Sequence, residues 1–422
     1  MRKLRNLLRR LRADPSGNAM LIGAGSLPML LGAAGLGLDT VQWTLMQRQL
    51  QRAADSAAIA GAFARNGNAN VAAEANRSLA RDLMIALQPP PVIENAPTSG
   101  AYAGDTNAVR VILETRQRLP FASLFMREAP VVRVEATATA ISNGDYCVVA
   151  LENTTTAGIR MQGSSTVDLG CGLATNSLAS NAVVASGSSR ITASPVAAVG
   201  GLTPSSNYAP GTELLPNSIR QADPFRHLPQ PQPTDCGNEL RVQPNQSRTI
   251  NNNSGATGRC FRGMDLRGTV HFDPGIYIID GGSFSVGSQA VVTGTGVTFI
   301  LTSSTAATNP SSIATSQING GATLQLSAPT TGTYAGVLFY QDRRAPNSDA
   351  NRVNGNSASF FQGAFYFPAQ GVEFNGTSGM RTECVQIAAR RVSFTGNSTI
   401  INQCPENSGA RAFSGLRVFL VG

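Results

Sequence analysis

The apolar positions of this 422-residue chain change their spacing three times. Pro15–Leu38 carries no charge, and its 24 residues, helical at about 1.5 Å each, would reach roughly 36 Å. A hydrocarbon core is about 30 Å thick, so the run predicts a membrane-spanning helix with Ala19–Leu38 as its apolar part. Trp43, Met46, Leu50, Ala53, Ala57, Ala60 and Ala64 then recur at alternating steps of three and four, which makes one seam on a helix. Past Leu50 the seam is alanine, small enough to come close to another helix or a sheet. It serves equally for packing on its own domain or on a partner protein. Ala69–Leu87 predicts a second helix, stopped by Pro89-Pro90-Pro91. The period then shortens to two: Val109–Leu113 and Val131–Ala136 alternate and are rich in β-branched residues, which predicts strands around a short apolar turn or helix at Pro120–Phe125.

From Cys147 onward Gly, Ser, Thr and Asn rise and long helical patterns disappear. A register recurs around Gly163, Gly187, Gly376 and Gly396, with mostly apolar residues at −4, −2 and +4: Ile159, Met161 and Val167 around the first, Val392, Phe394 and Ile400 around the last. Short strands joined by tight glycine corners at a period of 20 to 24 residues predict a parallel β-helix. The six cysteines agree, at separations of 24 for Cys147–Cys171, 24 for Cys236–Cys260 and 20 for Cys384–Cys404. Residues one turn apart stack at about 4.8 Å, within reach of a disulfide, so sequential pairing is expected of an exported chain. No pair has the Cys-x₂-Cys spacing of a metal site. Pro195–Pro233 holds eight prolines and reads as a long surface loop or a hinge, with further polar loops at Thr302–Gln317 and Arg343–Ser357.

Charge sets the orientation. Arg2, Lys3, Arg5, Arg9, Arg10 and Arg12 precede the apolar run, which places that side in the cytoplasm and the rest of the chain outside the inner membrane. Residues 1–14 hold six cations and one anion, so five units of the net charge of +8 belong to this tail and +3 remain for the exported part. Nucleic acid is therefore not an expected partner. A cleaved secretory signal is the alternative to a retained anchor, with Gly32-Ala33-Ala34 as its small residues.

The stretch from Gly17 to Asp39, with its Gly35…Asp39 exit, followed by Gln47-Arg48-Gln49-Leu50-Gln51-Arg52-Ala53-Ala54-Asp55-Ser56-Ala57-Ala58-Ile59-Ala60-Gly61-Ala62, resembles the TadE/TadG-like family of tight-adherence (Flp-type) pilus assembly. The resemblance implies a non-enzymatic assembly component whose partners are other pilus-assembly proteins, docked through Gln47–Ala62. Gly275–Gly282, Gly294–Leu301 and Ala335–Asp342 resemble C-terminal regions of TadG-like proteins. Two family features are missing. No glutamate follows Gly17, as it does in members cut by a prepilin peptidase, and no Asp-x-Ser-x-Ser metal motif is present, so no metal or other cofactor is carried over.

Enzymatic chemistry finds little footing. Asp265, Asp273, Asp280, Asp342, Glu373 and Glu383 are candidate carboxylates for a carbohydrate-active β-helix, but Asp273 precedes Pro-Gly and Asp280 precedes Gly-Gly, both turn positions. His227 and His271 are the only histidines, and there is neither a Gly-x-Ser-x-Gly elbow nor a Gly-x₄-Gly-Lys loop; the single lysine is Lys3. A carbohydrate-binding adhesin is the other alternative, with Phe360, Phe361, Phe365, Tyr366 and Phe367 available to stack on surface glycans. The period-two set Phe361, Phe365 and Phe367 fits a core better. The expected organisation is a basic tail (1–14), an anchor (15–38), a membrane-proximal α+β module (39–145) and a disulfide-stapled β-helical domain (146–422).

Overall fold

The computed structural model describes residues 16–66, 69–252, 258–376, 381–396, 399–401 and 412–421. The basic run Arg2–Arg12, Met380 and Cys404 lie outside them. The chain divides into two units, residues 1–141 with 418–422, and residues 142–417.

In the first unit the anchor and the seam helix are one element. Helix α1 runs unbroken over Ser16–Asn66, through Pro28. From Asp39 to Ala60 there is neither glycine nor proline to break it, so the expected boundary near residue 39 is not a change of conformation. Helix α2, Val71–Asp82, starts on Asn70, whose side chain accepts the Ala73 N–H at 3.0 Å. It stops five residues before the expected end at Leu87. From Leu83 the spacing is period two, not helical: Leu83, Ile85 and Leu87 alternate toward the core while the chain runs extended, with Gln88 N–H donating to the Glu114 carbonyl.

Three antiparallel strands pack with these helices: β1, Val92–Asn95; β2, Val109–Arg116; and β3, Val131–Ala150, of which the part up to Ile141 belongs to this unit. Strand β1 lies over a segment where no strand is expected. The alternation of β2 sends Val109, Val111 and Leu113 to one face, level with Val132, Val134, Ala136 and Ala138 of β3. Met46, Leu50, Ala53, Ala57 and Ala62 of α1 close the same core, joined by Val71, Ala75 and Leu79 of α2. The approach is tight at Gly61, where a Cβ would stand 2.8 Å from Cγ1 of Val109.

The second unit is a stack of parallel ladders, so the sheet as a whole is mixed. An inward column runs Tyr277, Phe299, Phe339, Phe365, Ile387, Val148, Leu173 and Val196, each residue paired with the next. Beside it an outward column runs Cys260, Ile278, Ile300, Tyr340, Tyr366, Ala388, Val149, Ala174 and Ala197. Spatial order departs from chain order here: the strand Arg381–Gly396 lies beside the unit's first strands, pairing with Val148–Ala150 and Ile159–Met161. The four register glycines form one corner column for the same reason. Gly376 pairs with Gly396, a Cβ on Gly163 would sit 3.0 Å from the Gly396 carbonyl, and one on Gly187 would sit 2.9 Å from that of Gly163. Gly163, Gly187 and Gly396 have φ of +80°, +70° and +74°, which explains the residue type.

Disulfides join Cys147 to Cys171 and Cys236 to Cys260, with Cα separations of 5.8 and 4.5 Å. Phe361, Phe365 and Phe367 are fully buried, and Tyr366 faces outward but is equally covered, so none of the four presents a ring to a sugar. Phe361, Phe365 and Phe367 lie in the inward core, while Tyr366 is covered by residues 225–230 of the Pro-rich segment. That part is a strap and not a hinge: Phe225 packs on Tyr366, Leu228 joins the apolar outward column, the Tyr340 hydroxyl donates to the Pro229 carbonyl, and Gln230 donates to Asp342. An outward-facing apolar column needs such a cover, and prolines supply a chain that competes for few ladder hydrogen bonds. The earlier part of the expected loop is not loop throughout, because Val196–Ala198 and Leu214–Leu215 are strands that pair with each other in the parallel stack.

Candidate functional site

The first candidate is where the apolar span meets the first unit. The Phe121 ring packs on α1 at Gly35, where a Cβ would have no room beside it. One helical turn later Asp39, only 4% exposed, accepts the backbone N–H groups of Phe121 at 3.2 Å and Ala122 at 2.5 Å. Those groups open the short 3₁₀ turn Ala122–Leu124 and have no partner inside it. The Gly35…Asp39 spacing therefore puts a bare patch and an acceptor on one helix face, and together they hold the β2–β3 connection. Asp39→Ala is expected to free that connection and speed tryptic cleavage at Arg118 and Arg127 about tenfold or more, the loss of about 1.5–3 kcal/mol of charge-assisted hydrogen bonding. Cleavage at the wild-type rate would refute this role.

The predicted interaction residues fall mostly inside. Met46, Leu50, Ala53 and Ala57 are buried in the unit's own core, while Trp43 and Ala60 are half-buried. The seam is thus covered by this chain's own sheet. What the same helix leaves open is Leu45, Arg48, Gln49 and Arg52, which with Ser56 and Asp82 line a depression of about 640 Å³. Nearer its start Ile22, Leu27, Met29, Leu30, Leu31, Leu36 and Leu38 are all more than half exposed, and the helix is long and apolar enough to cross a membrane.

Residues 17–66, nearly the whole of α1, match the family model Tad, described as "Putative Flp pilus-assembly TadE/G-like". The N-terminal segment is TadE/G-like. No curated protein matches the chain, and no solved structure does. The TadE/G-like stretch contains the exposed apolar span, the Gly35–Asp39 lock and the core seam, and it ends where α1 ends.

In the second unit, outside the TadE/G-like match, one outward column is polar: Arg241, Asp265, Ser285, Gln317, Arg352, Glu373, Ser393 and Arg160. Part of it lines a groove of about 540 Å³ with Arg267, Gln289, Asn319 and Asn354. The candidate carboxylates do not converge there. Asp265 is paired with Arg267 at 3.0 Å, and Glu373 with Arg352 at 3.6 Å. Asp273 stands 3.8 Å from His271, and Asp280 accepts the Ser304 N–H. Asp342 is buried against Arg344 at 2.6 Å and Thr302 at 2.7 Å; burial pushes its carboxyl up, but Arg344 and Thr302 outweigh it and hold it below the usual range. His227 is exposed on the strap, and the side chain of Glu383 lies outside the described residues. Among the described residues no three of His, Cys, Asp and Glu cluster as a metal site.

One charged group escaped sequence reasoning. Glu152 is fully buried between Arg390 at 3.0 Å and Arg391 at 2.6 Å, and it also accepts the N–H groups of Asn153 and Thr154. Burial pushes its carboxyl up; the Arg391, Thr154 and Arg390 hydrogen bonds overcome that and bring it down to about 2. The adjacent Arg390-Arg391 was the only trace of this in the sequence.

Proposed function

We propose that this protein is a non-enzymatic component of Flp-type pilus assembly, anchored in the inner membrane by the apolar part of α1, with residues 1–14 in the cytoplasm and the chain beyond the span in the periplasm. The observation that carries the reading is the TadE/G-like match over α1. The basic run before the apolar span supports the orientation. The disulfides are consistent with an oxidising compartment. The non-enzymatic reading is supported by carboxylates that are each taken up by an arginine or a turn. We read the parallel stack of the second unit as a β-helix because its inward and outward columns repeat from ladder to ladder.

Clean deletion of the gene in its own host, with pili counted by electron microscopy, tests the assignment. Loss of pili, restored by the intact gene, is expected; normal pili would overturn it. Arg48→Glu with Arg52→Glu, on the face of the TadE/G-like helix that the fold leaves open, is expected to fail in complementation at normal protein level. A carbohydrate-binding role is the second reading, favoured by the polar groove along Asp265, Gln317 and Arg352. Normal pili in the deletion strain, together with lost retention on a glycan array after Arg352→Ala, would select it.

A further inference from the structure

We infer that the β2–β3 connection is a second membrane contact: its tip, Leu124-Phe125-Met126, inserts into the lipid interface beside α1. The inference rests on reading α1 as a membrane span. Leu124, Phe125 and Met126 are consecutive and are exposed by 73%, 86% and 50%. Three large apolar side chains in a row on a short turn form a tip that water does not favour. The tip is also fixed in place, because Phe121 on Gly35 and the Asp39 hydrogen bonds hold the turn against α1.

The place of attachment identifies the occupant. Gly35 lies three residues inside the end of the uncharged run at Leu38, about 4.5 Å along the axis at 1.5 Å per residue. The lock therefore sits at the depth where hydrocarbon gives way to headgroups. On α1 the exposed apolar surface continues past that level, with Leu36, Leu38, Val41 and Leu45 each exposed by 56–65%. The tip and the helix thus present apolar surface at the same height. Exposed Arg118 and Arg127 flank the tip, which suits anionic phospholipid headgroups. An aromatic ring between apolar neighbours with cations at either side is the composition that interfaces select. The lipid interface, and not a protein groove, fits all of this.

The test uses the full chain reconstituted in vesicles of phosphatidylcholine and phosphatidylglycerol. Trp43 is the only tryptophan, so Trp43→Phe gives a silent background. In it, Phe125→Trp reports the tip and Leu30→Trp reports the span. Phosphatidylcholine brominated near the headgroup is expected to quench Phe125→Trp about twofold, with acrylamide quenching reduced by a similar factor relative to the urea-unfolded chain. If lipid bromines quench Leu30→Trp while acrylamide freely reaches Phe125→Trp, the span stands and the inference falls. If neither tryptophan is quenched by lipid, the span itself fails and the inference with it. If Phe125→Trp is shielded from both quenchers, a second copy of the chain covers the tip, which also overturns the inference.

Discussion

Glu152→Ala is expected to destabilise the second unit by about 3–5 kcal/mol, the usual cost of removing one partner from a buried ion pair. Glu152 is fully buried while Arg390 and Arg391 keep only 22% and 13% of their side chains exposed. Alanine would take from Arg390 its carboxylate partner, leave Arg391 with Asp349 and Asn347 alone, and leave two backbone N–H groups, those of Asn153 and Thr154, without their acceptor. The position matters because Arg390 and Arg391 belong to the strand that pairs with both Val148–Ala150 and Ile159–Met161. A fault there sits where the last long strand meets the first. Urea unfolding of the detergent-solubilised chain, followed by far-UV circular dichroism, measures it. Glu152→Gln keeps an acceptor for the N–H groups but loses the charge, and should fall between wild type and alanine. An alanine variant within 0.5 kcal/mol of wild type, the range of ordinary surface substitutions, would refute the argument.

The same group sets an acid limit. Its folded carboxyl is brought down from 4.5 to about 2, so the unfolded chain takes up the proton first as pH falls. The stabilisation is complete above about 4.5 and is lost progressively between there and 2. In Glu152→Gln that part of the acid dependence should disappear, leaving a flatter stability profile across the window. An unchanged profile would assign the acid sensitivity to other carboxylates.

Features carried by local periodicity were legible in the chain. The apolar span, the alanine seam and strands β2 and β3 repeat over a few residues and the glycine register over 20 to 24, and each became a helix face, a sheet face or a corner column, whereas the short β1 carried no such pattern. Features that depend on distant partners were not. Asp39 meets Phe121 at a separation of 82 residues, and Glu152 meets Arg390 at 238; the Gly35…Asp39 spacing was visible but nothing in it named Phe121 as the partner. The strap was misread as a loop or hinge because the surface it covers gave no alternation. Val297–Thr302 is buried along its whole length, inward by its neighbours and outward under other chain, and a strand covered on both sides reads as a plain apolar run. The pairing of Val392 with Ile159 likewise joins strands far apart in sequence.

Ala57→Glu is expected to unfold the first unit, and the result separates two meanings of the alanine seam. Ala57 has no exposed surface and belongs to the apolar core that includes Leu50, Ala54, Val109 and Val111. A glutamate there must either bury a carboxylate with no cation among those residues or push α1 off the sheet. Gly61, one turn further along α1, already stands at a distance that would not admit a Cβ beside Val109, so the helix has no slack with which to make room. The expected cost exceeds about 4 kcal/mol, a large share of what a small unit has. The variant should therefore be lost from the membrane fraction through degradation, at the level of the protein itself. Arg48→Glu with Arg52→Glu should by contrast accumulate normally, because those side chains are already in water. Were Ala57→Glu to accumulate like wild type and fail only in pilus assembly, the seam would be a partner surface and its packing on β2 and β3 would not be what holds it. Ala57→Ser, which adds a hydroxyl able to bond back to the helix carbonyl four residues earlier, should cost far less and retain assembly, since the space and not the residue type is what the seam requires.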